Sequence, residues 1–292
     1  MAWRISNIVR AAAMAAVLPL LVAEPASAAP AAGTGPVVDL ALVLAVDVSA
    51  SIDWSEAQLQ RKGLADAFVS SEVLRAISSG TNGRIGVAVV FFSSYGRGVM
   101  DVPIPWTVLS DQASAVAFAK AIIAAPPMSG RGTSISDALN LSLQVFAAMP
   151  LRASKRVIDV SGDGMNSAGP PITGVREKVL AQGISINALP ISEDYMGDYL
   201  EQYFKGCVVG GPGSFMLPAK GFTDFARAIR RKLVLEISGL TPAEMPERQA
   251  RLIRTAGAPL TGRDLLPRNN EPAETPFQGD CDFPMFGGFG RF

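Results

Sequence analysis

The sequence predicts an α/β fold: a doubly wound, mostly parallel central sheet with one short antiparallel edge strand and helices on both faces. Three observations lead there. The runs Val38–Val46, Arg84–Phe92, Lys155–Ser161 and Ile184–Ile191 are nearly continuously apolar over strand length, as strands covered on both faces require. Segments with apolar residues at helical spacing alternate with them. Proline and glycine punctuate the helical segments at the ends that tolerate each.

Taken in order, residues 1–28 read as an export signal. Arg4 and Arg10 supply a positive start, Ala11–Ala23 is apolar, and Ala26, Ser27 and Ala28 form a small-residue cleavage site, with the cut expected after Ala28. Residues 29–36, rich in Ala, Gly and Pro, read as a linker, and 37–240 as one folded domain. The first helix starts at Asp53 with Glu56 completing a capping box, and Leu64 and Phe68 share one of its faces. Gly98–Trp106, with Pro103 and Pro105, fits an edge strand. Ile135, Leu139, Ser142, Phe146 and Met149 form a second helical stripe, with Ser134 and Asp137 as its cap. Pro170 and Pro171 open a third helix that stops at Gly183, and Phe222, Phe225, Ile229 and Leu233 mark the last. Gly210–Gly213 reads as a tight turn, since no Gly-Lys-Ser/Thr follows to make a phosphate loop. Arg230, Arg231 and Lys232 read as a solvated helix face, and 241–292 as a largely irregular tail ending in a Phe- and Gly-rich stretch.

Composition removes several function classes. Lys plus Arg and Asp plus Glu both number 26, so the chain carries no net charge and lacks the field of a nucleic-acid binder. It contains no histidine, which excludes histidine-based nucleophile systems, histidine-ligated zinc and histidine general bases. No stretch beyond the signal is long and apolar enough to span a bilayer. The two cysteines, Cys207 and Cys281, would be free to pair in an oxidising compartment, and spacing leaves open whether they do.

The chemistry concentrates where the first strand ends. Asp47, Val48, Ser49, Ala50 and Ser51 spell Asp-x-Ser-x-Ser, placing a carboxylate and two hydroxyls at the carboxyl end of a buried strand. In open α/β sheets ligands sit in that position. Oxygen donors of this kind suit Mg²⁺, Mn²⁺ or Ca²⁺. Two later loops on the same expected edge offer more: Thr133 just before a helix and Asp163 just after a strand. Asp159, inside an apolar strand, would either orient a ligand hydroxyl or pair with a cation.

This arrangement resembles the von Willebrand factor type A family and its metal-ion-dependent adhesion site, which pairs Asp-x-Ser-x-Ser with a Thr in a second loop and an Asp-Gly in a third. The resemblance implies Asp47, Ser49, Ser51, Thr133 and Asp163 as metal ligands. Gly162 stands where the family often has Thr, whereas Asp163 and Gly164 keep the Asp-Gly pair. Ala45–Ser51, Arg156–Gly164, Gly210–Phe215 and Phe225–Ile237 look more closely like an exported bacterial branch of that family, domain of unknown function 1194. That branch implies fold and site but no assigned activity. A ligand set poor in negative charge, and the way the von Willebrand factor type A family binds, point to a non-enzymatic binding module in which a divalent cation, Mg²⁺ by default, engages an acidic residue of a protein partner. The export signal makes it periplasmic or secreted. Two alternatives stand beside it: metal-dependent hydrolysis, and a metal that only ties the loops together.

Overall fold

The computed structural model describes residues 35–94, 101–192, 197–244, 277 and 279–282. The expected export signal, most of the linker and most of the tail lie outside them. In chain order the elements are β1 (Val37–Asp47), α1 (Trp54–Phe68), α2 (Ser71–Ser78), β2 (Ile85–Phe92), β3 (Asp101–Leu109), α3 (Gln112–Ala124), α4 (Ile135–Ala147), β4 (Arg152–Gly162), α5 (Ile172–Ala181), β5 (Ser185–Ser192), α6 (Gly197–Tyr203), a π-helical turn (Phe204–Val208), β6 (Ala219–Lys220) and α7 (Phe222–Ser238).

The strands form one sheet in the order β3-β2-β1-β4-β5-β6, parallel throughout except for β3, which runs antiparallel to β2 on the edge. This is the mixed, doubly wound sheet that the apolar runs imply. Alternation along β1 shows why those runs are continuous. Leu40, Leu42, Leu44 and Val46 enter a core shared with α1, α2, α3 and α7, while Ala41, Val43 and Ala45 enter a second core shared with α4, α5 and α6. With period two and both faces covered, no position from Leu40 to Asp47 is left for a solvated side chain.

The edge strand starts at Asp101 and runs three residues past Trp106, to Leu109; Gly98 lies outside the described residues. Pro103 and Pro105 are tolerated because β3 has a single neighbour, and its register against β2 shifts twice along the pairing. The capping box expected of α1 is present: the Glu56 N–H donates to Asp53 and the Asp53 N–H donates back to Glu56. Gly183 closes α5 at φ 68°, and Gly211 and Gly213 take φ 95° and 65° in the turn read at 210–213.

Two expectations change on α7 and β4. Lys232 does not belong to a solvated face: it is 0% exposed, and its Nζ lies 2.5 Å from Asp159 Oδ1 and 2.6 Å from Glu236 Oε1. The physical reason is helical phase, since Lys232 falls between Ile229 and Leu233 on the face turned to the sheet, where the buried carboxylate of Asp159 awaits a cation. Of the two roles open to Asp159, the structure therefore selects ion pairing. The question left open at the cysteines is also answered, because Cys207 and Cys281 form a disulfide.

Candidate metal centre

Topology builds the site. Strand β1 pairs with β2 on one side and β4 on the other, so the strand order reverses between β1 and β4, and the carboxyl ends of both open into that crevice. Register sets Val46 beside Ser161, which brings Asp47 level with Gly162, one residue before Asp163. The loop after β1 is held by neighbours: the Val48 N–H donates to Phe92 O at 2.9 Å, and the Gly130 N–H donates to Val48 O at 3.0 Å.

Within this frame Asp47 is 0% exposed, and its Oδ1 accepts the Ser49 N–H at 2.8 Å. Ser49 and Ser51 hydroxyls are 3.0 Å apart, and Ser51 donates to Asp163 Oδ1 at 2.9 Å. A Cβ built on Gly164 would lie 3.0 Å from Thr133 Oγ1, so the Thr133 hydroxyl sits over the backbone that follows Asp163. The structure thus brings side chains from all three loops to one crevice.

Electrostatics there are unusual. Burial pushes the Asp47 carboxyl up to about 8, and the nearby Asp163 charge adds to the rise against the opposing bonds from Ser49. Burial also raises Asp163, with Ser51 opposing and Glu56 contributing. Asp47 Oδ2 is buried and has no hydrogen-bond partner among the described residues. A Cβ on Gly162 would lie only 2.8 Å from that same oxygen. Gly162, where the resembled family often carries Thr, is therefore the residue that leaves room for the Asp47 carboxylate.

No group of three or more His, Cys, Asp or Glu side chains is gathered for metal binding among the described residues. The candidate set has two carboxylates and three hydroxyls, and such oxygen donors fit a hard divalent cation. A buried carboxylate with one orphaned oxygen, set beside a second, half-buried carboxylate, is what a cation would compensate.

The supports of this crevice were not legible in spacing. Ser167 clamps Thr133: its Oγ accepts the Thr133 N–H at 3.0 Å while its own N–H donates to Thr133 O at 2.9 Å. Asn166 Oδ1 accepts the Ser136 N–H at 3.0 Å at the start of α4. Ser94 reaches the second loop through its N–H, 2.9 Å from Gly132 O. Each contact joins residues distant in sequence, so only the paired loop positions reveal it.

Among solved structures the chain is similar to proximal thread matrix protein 1 from the mussel byssus, in its second crystal form, at 18% identity and a TM-score of 0.50, covering 70% of this chain and 49% of that one. A von Willebrand factor type A structure from Catenulispora acidiphila shares 17% identity at a TM-score of 0.48, with 68% of this chain and 43% of that chain covered. The vWF domain of the type V pili tip protein Mfa5 from Porphyromonas gingivalis shares 12% identity at 0.49, covering 72% and 99%. The chain spans about half of the mussel protein's length. No curated protein matches the sequence. The family described as "Protein of unknown function (DUF1194)" matches residues 37–241, which contain the sheet, the flanking helices and all three loops. The chain belongs to that family, and it shares its fold with the mussel protein.

Proposed function

We propose that this protein is an exported, non-enzymatic binding module. Asp47, Ser49, Ser51, Thr133 and Asp163 would hold a divalent cation, Mg²⁺ by default and Mn²⁺ or Ca²⁺ as alternatives, through which an acidic residue of a protein partner is engaged. Residues 1–28 would direct export to the periplasm or beyond, 29–36 would link, 37–240 would form the binding domain, and 241–292 the tail. Among the described residues no helix is long and apolar enough to cross a membrane.

The observation that carries this reading is the buried Asp47 carboxylate, with its orphaned Oδ2, facing a second carboxylate across a crevice lined by hydroxyls. When bound, a divalent cation supplies a centre of positive charge to which a carboxylate from outside is attracted. The chain's own residues do the rest. Asp47 and Asp163 contribute the only negative charge of the set, so the hydroxyls of Ser49, Ser51 and Thr133 serve as neutral donors. The Ser49 N–H fixes the Asp47 rotamer, and Ser51 ties the first loop to Asp163. Hydrolysis gains no support from this arrangement, because the carboxylates nearest the crevice are the proposed ligands and a carboxylate holding a cation is a poor base.

Titration calorimetry of the chelator-stripped protein with Mg²⁺, Mn²⁺ and Ca²⁺ tests the reading. Saturable binding is expected in the wild type and absent in Asp47→Ala and Asp163→Ala. Equal heats in all three proteins would overturn it.

A further inference from the structure

Several features of the opposite helical layer have no part in the crevice itself: a π-helical turn, a disulfide, and a short C-terminal segment seated against both. The turn Phe204–Val208 presents Cys207 to Cys281. Gly206 in that turn leaves room for Phe277, since a Cβ there would lie 2.8 Å from the Phe277 Cβ. The Phe277 ring packs edge-on against Tyr203 at 5.7 Å and tilted against Tyr199 at 5.5 Å. Asp282 accepts from the Thr173 N–H at 3.1 Å and from the Thr173 hydroxyl, fixing the far end of the segment to the start of α5. Through Phe277 the segment bears on Tyr203, which is 3% exposed and whose hydroxyl oxygen accepts the Asn166 N–H at 3.3 Å. Asn166 and Ser167 in turn hold the Ser136 and Thr133 backbone.

We infer that the C-terminal segment of Phe277, Cys281 and Asp282 is a strap that positions the cation-binding loops, with Tyr203 and Asn166 as the positioning residues between strap and crevice. The disulfide ties the segment to the π-helical turn, Phe277 fixes the ring of Tyr203, and the Tyr203 hydroxyl holds the third loop where Ser167 grips Thr133. No residue of this path is a proposed ligand, and its influence on the cation rests on the function proposed above.

The test compares the wild type with Cys207→Ser/Cys281→Ser, Phe277→Ala and Tyr203→Phe in two measurements: residue-resolved amide exchange, and Mg²⁺ titration by calorimetry. Tyr203→Phe keeps the ring and removes only the acceptor, so its melting temperature should stay close to wild type. All three variants should speed exchange of the Asn166 N–H by about tenfold, as expected when a partly buried amide loses its one acceptor. They should also weaken Mg²⁺ by about fivefold or more, the low end of ordinary coupling between sites. Wild-type exchange at Asn166 together with wild-type affinity in the strap variants would overturn the inference. A wild type that takes no Mg²⁺ would instead refute the metal reading; amide exchange then decides the coupling alone, acceleration upholding it and its absence overturning it.

Discussion

Replacing Lys232 with Met isolates the energetics of the buried charge cluster beneath α7. Lys232 stands 2.5 Å from Asp159 and 2.6 Å from Glu236, all three buried, with Asn187 Nδ2 donating to Glu236 Oε1 at 2.8 Å. Lys155 reaches the same cluster from its rim, its Nζ donating to Glu236 O at 2.8 Å. Removing the central cation leaves two buried carboxylates facing one another, and breaking such a pair costs about 3–5 kcal/mol. Burial, reinforced by Glu236, already raises Asp159 to about 7 from an ordinary 3.8, against the pull of Lys232. A folded-state pKa above the unfolded one means that the native protein holds a proton the unfolded chain has released. In the wild type this makes stability fall as pH rises between those two values and level off above them. In Lys232→Met the loss should be full at pH about 8 and smaller at pH about 5, where Asp159 is protonated and one of the two charges is gone. Urea unfolding at both pH values measures it. Asp159→Asn, which leaves Lys232 with one carboxylate, should cost less than Lys232→Met and flatten the pH dependence. A Lys232→Met loss below about 1 kcal/mol at the higher pH, or one that grows on acidification, would refute the assignment of a buried ion pair.

Gly162→Ala should weaken Mg²⁺ binding by about tenfold or more, because the new methyl would crowd Asp47 Oδ2; calorimetry of the folded variant measures the change. Mg²⁺ at a hundredfold excess over its dissociation constant should add about 2.7 kcal/mol to the unfolding free energy of the wild type and nothing to Asp47→Ala, read by urea midpoint. Asp53→Ala removes the N-cap of α1 directly after the first ligand loop and should cost about 1 kcal/mol in the same assay.

What the sequence makes legible is what local pattern encodes. Strands β1, β2, β4 and β5 announce themselves because burial on both faces keeps their central positions mostly apolar, and Asp47, Ser49 and Ser51 stand out because they interrupt such a run at its end. Helix α2 is amphipathic but only eight residues long, and α3 is apolar nearly all round, so neither carries a stripe long and one-sided enough to stand out. Lys232 shows the other limit. Beside Arg230 and Arg231 it reads as solvated, and only the pairing of α7 with β4 reveals that its phase points at Asp159. Tyr203, Asn166 and Ser167 fail for the same reason, since a hydrogen bond between loops leaves no spacing to detect. The disulfide closes across 74 residues of sequence, a separation that composition alone cannot convert into a contact.

Asp47 and Asp159 make an internal comparison that bears on function. Both are buried carboxylates on adjacent parallel strands, and burial raises the pKa of each. The protein answers Asp159 from within: Lys232 comes from α7 into ion-pair distance and lowers its pKa again. An oxygen without a hydrogen-bond donor is common to both carboxylates; what differs is the charged neighbour, which for Asp47 is Asp163, another acid that raises it further. A chain able to bury a lysine against one carboxylate supplies hydroxyls and a second carboxylate to the other. That choice is costly for a crevice meant to stay empty. Under the function proposed above, the compensating cation would come from solution to the carboxyl ends of the strands, where ligands of such sheets sit.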